Sequence, residues 1–285
     1  MDQPTDRPPP AANSATPTER RPGFVVSIAQ TIRFYSRLPV PPLPGEGAPH
    51  APPDIALLPR ALPFAALIIA APACAAIFIS DWLGFPAFIS AALTIAVAML
   101  TTGAFHEDGL ADVCDGFGGG ATVPRKLEIM KDSRVGTYGA SAICLSILLR
   151  TAALASLIET RPTLSVIALV LAIAALSRVA GLLPLAILPA ARADGASRDV
   201  GRPDFFPLAI GFALASALTG VASALVDWPD FLGVALILVA IASGLAMTFI
   251  ARRQIGGQTG DVAGAAQQIA EIACLLALLA TGFAR

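Results

Sequence analysis

Beyond residue 60 the apolar positions gather into seven long runs, Leu62–Ile79, Phe85–Phe105, Tyr138–Ile158, Thr163–Leu188, Phe205–Val226, Phe231–Ile250 and Ala265–Phe283. Each is close to the ~20 residues a helix needs to cross the hydrocarbon of a bilayer. Helices of a water-soluble bundle would carry a polar outer stripe, yet most of these runs hold no charged residue. The pattern predicts an all-α, polytopic transmembrane bundle of about seven spans. Ahead of it, the apolar positions between Phe24 and Leu38 suit a brief amphipathic helix lying on the membrane surface, followed by a Pro-rich stretch, Pro39 to Pro59. Residues 1–22 are rich in Pro, Thr, Ala and charge and lack the apolar core of a signal peptide, so they read as a disordered cytoplasmic tail.

Composition agrees with membrane burial. Of the 285 residues 55% are hydrophobic and 14% charged, with a mean hydropathy of +0.72, outside the range of ordinary soluble domains. A net charge of −1 gives no basic surface for nucleic acid. Cys74, Cys144 and Cys274 lie in apolar runs and Cys114 lies among carboxylates, so no disulfide framework or zinc pattern is present. Charge distribution sets the orientation. With the amino terminus inside, the connections on that side hold fifteen of the nineteen Lys and Arg residues, whereas only Arg161 and Arg285 fall clearly outside. The amino terminus is therefore expected in the cytoplasm and the carboxyl terminus in the periplasm, in a bacterial inner membrane. Arg150 and Arg178 fall within spans; Arg150 is expected to snorkel toward the periplasmic edge.

The densest carboxylate cluster, His106 to Gly120, lies between the second and third runs. Asp108, Asp112 and Asp115, spaced i, i+4, i+7, would share one face of a helix and repel one another unless a cation sat among them. Magnesium, a hard ion that takes carboxylates, waters and phosphate oxygens, fits that need; a solvated acidic cap is the plainer alternative. His106 is a candidate general base or an interfacial residue. Downstream, Lys131-Asp132-Ser133-Arg134 joins basic side chains to small residues in a manner suited to phosphate, although inside-positive bias alone would also place Lys131 and Arg134 there. The segment Arg252 to Asp261, with Gly256, Gly257 and Thr259, offers backbone amides to an anion, or is simply a flexible turn. Glu271 and Arg178, both within spans, are expected to face the interior, Glu271 or a substrate phosphate being the natural partner for Arg178.

Phe34 to Pro41, His106 to Gly116, Met130 to Gly139 and Gly256 to Glu271 occur in the order, and with the apolar helices between them, that resembles the cobalamin synthase (adenosylcobinamide-GDP ribazoletransferase) family over nearly the whole chain after the tail. Glu107 departs from the family pattern and is given no role. The resemblance implies an integral membrane catalytic domain over residues 23–285 that uses magnesium. It would join adenosylcobinamide-GDP to α-ribazole or its 5′-phosphate late in cobalamin synthesis, releasing GMP. Asp108, Asp112 and Asp115 are then expected as metal ligands or catalytic carboxylates, with His106 and Asp261 as further catalytic candidates. Lys131, Asp132, Arg134, Arg178, Gly256, Gly257 and Thr259 are expected to bind substrate, with the site facing the cytoplasm. Besides the substrates and the bilayer, the partner the reading allows is a second copy of the chain. Two alternatives compete. A CDP-alcohol phosphotransferase also carries an Asp-Gly-centred acidic helix, but this chain has Asp112 where that family has arginine. A transporter would suit the charges within spans, yet no repeat relates the two halves of the sequence.

Overall fold

The computed structural model describes residues 22–44, 46, 52–192, 202–226 and 228–282, so the tail expected over residues 1–22 lies, except for Pro22, outside the described residues. The described chain is helical: α1 (Phe24–Tyr35), α2 (Leu58–Trp82), α3 (Ala87–Thr102), α4 (Phe105–Gly119), α5 (Val123–Ile129), α6 (Thr137–Thr160), α7 (Thr163–Ala180), α8 (Leu183–Ile187), α9 (Phe205–Leu225), α10 (Asp230–Ile255) and α11 (Gly260–Ala280). Among the described residues there is no strand, and one isolated bridge joins Ala190 to Gln258. In a bilayer, helices satisfy their own backbone groups, which is why apolar runs of this length fold this way.

Six helices are long and apolar enough to cross a membrane: α2, α6, α7 continued through α8, α9, α10 and α11. The seventh expected span, Phe85–Phe105, is not a straight one. α3 ends at Thr102 and α4 departs at 89° to it, because Gly103 and Ala104 both take left-handed backbone (φ 66° and 57°). Gly103 suits that conformation, whereas Ala104 is a non-glycine residue held in it. The bend is pinned by the Arg37 N–H, which donates to the Thr101 carbonyl at 2.8 Å, and a side chain at Gly103 would run into the Arg37 guanidinium. The acidic segment expected between two spans is therefore itself a helix, set across the bundle.

The connections fall on two sides. Asp81 at the end of α2 accepts from Thr163 at the start of α7 (2.8 Å), which fixes one side. On the other, Ala191 and Gln258 exchange backbone bonds with Gln258 and Pro189, and Arg202 donates to the Ala186 and Ile187 carbonyls. The last helix begins at Gly260, one turn earlier than its apolar run, with Thr259 accepting from the Val262 N–H as its cap. The core between spans is aliphatic and close-packed; Leu62, Leu157, Leu169, Leu176 and Leu236 are fully buried. α1 buries Val26, Ala29 and Ile32 and leaves Phe24, Val25 and Phe34 exposed, as an interfacial amphipathic helix requires.

Candidate functional site

α4 packs most closely against α11, and glycine makes the contact. A Cβ at Gly109 would stand 2.9 Å from the Asp261 carbonyl oxygen and 3.3 Å from the Gly264 Cα; both are backbone atoms that cannot yield. This close approach brings Asp108 and Asp112 of α4 into electrostatic range of Asp261 in the first turn of α11. Burial, then Asp108, Asp261 and Asp115 as like charges, push the Asp112 carboxyl up to about 7. Asp112 lies on α4 outside the six spans, partly shielded from solvent, while Asp108 is exposed. Arg192 answers the cluster: its Nη2 lies 3.7 Å from Asp261 Oδ2, and Thr259 Oγ1 donates to the same oxygen at 3.2 Å.

Asp115 points elsewhere. Its Oδ2 accepts from the Gly136 N–H at 2.7 Å and its Oδ1 from the Gly139 N–H at 2.8 Å, so both oxygens cap the start of α6, and any side chain at Gly136 or Gly139 would strike them. Among the described residues no three His, Cys, Asp or Glu side chains stand close enough to hold a metal ion on their own. The donor set still fits a hard divalent cation. Burial, and then its acidic neighbours, drive Asp112 to retain a proton, and one or two carboxylates with waters and phosphate oxygens are a sufficient shell for magnesium.

Beside the cluster opens a cavity of about 300 Å³. Its lining joins polar side chains, His106, Arg178, Arg192, Thr259, Asp261 and Gln267, to apolar ones, Phe34, Ile55, Leu58, Leu182 and Leu185 among them. His106 is 4% exposed and its ring stacks on Tyr35, the centroids 5.7 Å apart and the planes 6° from parallel. Arg178, 8% exposed, donates Nη1 to the Ala174 carbonyl at 3.2 Å, and its buried Nε has no partner. A guanidinium so placed is ready for an anion.

Deeper in the bundle His106, Arg178 and Gln267 also line a second cavity of about 60 Å³. Here one expectation fails. Arg150 does not snorkel; at 1% exposure it is fully buried and pairs with Glu107 (2.9 Å) and Glu271 (3.4 Å). Glu271 is consequently the partner of Arg150 and of Gln267 (2.7 Å), and it acts on Arg178 by charge at longer range. Gln268 donates to Glu107 at 3.3 Å and accepts from Ser146 at 3.0 Å, which completes a buried network. Buried charges survive in such a place only when paired in this way. The sequence signal for it was Arg150 alone in an apolar run; its partners come from α4 and α11.

The remaining candidates lie at the rim. Arg134 is held by its neighbour Asp132, whose carboxyl the arginine keeps down at about 2. Asp132 and Arg134 line a shallow surface depression with Asp115 and Gly136, away from the large cavity; Lys131 lies beside them in the chain and is exposed. Gly256 caps α10 in left-handed backbone (φ 69°). Gly257 lies against Pro189 and Ala191, where a Cβ would clash. Thr259 reaches the cavity wall. Arg192, which sequence reasoning counted only for its charge, is part of the site.

Comparison with known proteins follows the same residues. The family model described as cobalamin-5-phosphate synthase matches residues 27–279. A protein of Azorhizobium caulinodans named adenosylcobinamide-GDP ribazoletransferase is 46% identical over 260 residues, 90% of this chain and 96% of its own. Proteins of the same name from Rhizobium etli and Rhizobium meliloti are 43% and 46% identical over 259 residues each, covering 90% and 88% of this chain and 96% and 95% of their own. No solved structure matches the chain.

Proposed function

We propose, from the premise that the chain belongs to the cobalamin-5-phosphate synthase family and is a transferase acting as an adenosylcobinamide-GDP ribazoletransferase in late cobalamin synthesis, that the reaction takes place where α4 meets α11. The observation that carries this reading is the convergence of Asp108, Asp112 and Asp261, with Asp261 and Arg192 also lining the cavity beside them. In this reaction a ribose hydroxyl of ribazole attacks the phosphorus that bears the cobinamide. The new O–P bond forms as the P–O bond to GMP breaks, and the hydroxyl proton passes to a carboxylate. Asp261, which lines the cavity, is suited to receive it. Asp108 and Asp112 would hold magnesium, which supplies charge stabilisation to the departing phosphate when bound. Arg192 and Arg178 orient phosphate oxygens from the protein side. His106, stacked and buried, shapes the wall of the cavity. Asp115 fixes the start of α6, and Asp132 and Arg134 stay at the rim as a phosphate approach.

The fifteen basic residues on the site's side support a cytoplasmic active face in a bacterial inner membrane, with the amino terminus on the same side. The test is reconstitution in liposomes with adenosylcobinamide-GDP, α-ribazole 5′-phosphate and magnesium, following GMP and corrinoid product together. Chelator-sensitive formation of both is the expected result. Absence of corrinoid product from folded protein would overturn the reading.

A further inference from the structure

The large cavity is two-faced, and the two substrates differ in which face they could use. We infer that its apolar wall, built by Phe34, Ile55, Leu58, Leu182 and Leu185, is the seat of the aromatic base of ribazole, with the ribose and any 5′-phosphate turned to Arg178 and Asp261. This assignment rests on the transferase reading above and adds to it which substrate lies where.

Three observations carry it. The volume, about 300 Å³, is at the small end of ligand sites, a size that suits a bicyclic base with its ribose and does not enclose a corrin macrocycle with its side-chain amides. The choice is then between the guanine of one substrate and the dimethylbenzimidazole of the other. Guanine presents donors and acceptors along its edges and loses free energy wherever these are buried unpaired. The five side chains of the apolar wall offer no hydrogen-bonding atom, whereas a methylated benzimidazole requires none along its carbocyclic edge. The Tyr35 ring, on the cavity surface and stacked parallel to His106, adds flat aromatic area beside these side chains. The polar lining supplies what a riboside phosphate needs. Arg178 is buried with a free Nε, and Asp261 is the one carboxylate shared by the cavity and the acidic cluster. A base seated on the apolar side thus delivers its ribose hydroxyl toward the carboxylates.

Leu185 and Ile55 are only partly buried, so substitutions there test the idea without emptying the core. In liposomes, Leu185→Trp should raise KM for α-ribazole at least tenfold and leave KM for adenosylcobinamide-GDP within twofold. Ile55→Trp should do the same, and Leu185→Ala should improve acceptance of a riboside with a bulkier, naphthimidazole base relative to wild type. A rise confined to the KM of adenosylcobinamide-GDP, or no change in either, overturns the assignment. Direct titration of the wild type and Leu185→Trp with α-ribazole by calorimetry separates the two claims. Weakened binding in the variant sustains the subsite even if transfer itself is not observed, whereas equal binding refutes it whatever the turnover.

Discussion

Arg150 Nη2 donates to Glu107 Oε1 at 2.9 Å, between side chains only 2% and 5% exposed, and so ties the middle of α6 to the first turn of α4. Glu271 of α11 lies 3.4 Å from the other arm of the same guanidinium. Three helices that carry the site are thus locked by charge within a region where an unpaired charge has no solvent to fall back on.

Removing one partner of a pair this buried is expected to cost about 3–5 kcal/mol, mostly for the charge left behind. Glu107→Leu should therefore lower the melting temperature of the protein in detergent sharply, and Glu107→Gln less so. The double variant with Arg150→Leu should be more stable than Arg150→Leu alone leaves it, since Glu107 would no longer be stranded. A double variant no better than the worse single one would argue against a dominant role for this ion pair.

Asp108→Asn and Asp112→Asn should each reduce turnover about 100-fold or more, the scale of losing one preorganised electrostatic contact at a reacting phosphate, while melting and membrane insertion stay near wild type. Near-normal GMP release from both variants would remove these carboxylates from the chemistry.

Gly109→Ala adds a single methyl where the Asp261 backbone lies 2.9 Å away. α4 and α11 must then separate, and a shift of ~1 Å in a reacting constellation costs about 100-fold. The expected signature is a fall in kcat with KM for both substrates little changed. Wild-type kcat would mean that the two helices need not approach this closely.

Stability should depend on pH through Asp112. In metal-free protein its carboxyl titrates at about 7, against roughly 4 in the unfolded chain. Between those values the folded state binds the extra proton, so stability declines as pH rises through that window and levels off above it. Adding magnesium at pH 7.5 should restore part of the loss by replacing the proton. Melting curves from pH 5 to 8 with chelator test this, with Asp112→Asn as the control expected to be flatter. A wild-type profile as flat as the variant's would contradict the crowding of carboxylates.

The spans were legible because ~20 apolar residues in a row have few other uses. The bend was not, since Gly103 and Ala104 sit at the end of an apolar run and nothing in hydropathy distinguishes a straight continuation from a turn of 89°. Spacing placed Asp108, Asp112 and Asp115 on one helical face, but it could not tell that Asp115 would be taken by the Gly136 and Gly139 amides. Likewise Arg150 and Arg178 are both lone arginines in spans, and the one expected to snorkel is the one that pairs with carboxylates. Which of them found carboxylates was decided by where α4 crosses the bundle, a property of packing between distant segments.

The dependence of α4 on α11 has a consequence for how the protein is made. Asp261, Gln268 and Glu271 lie on α11 and leave the ribosome long after the acidic helix they complete. Until then Glu107 lacks Gln268, Arg150 lacks Glu271, and Gly109 of α4 lacks the helix it packs on. The site is therefore finished only once α11 is in place: a product truncated before residue 260 would insert most of its spans and still lack it.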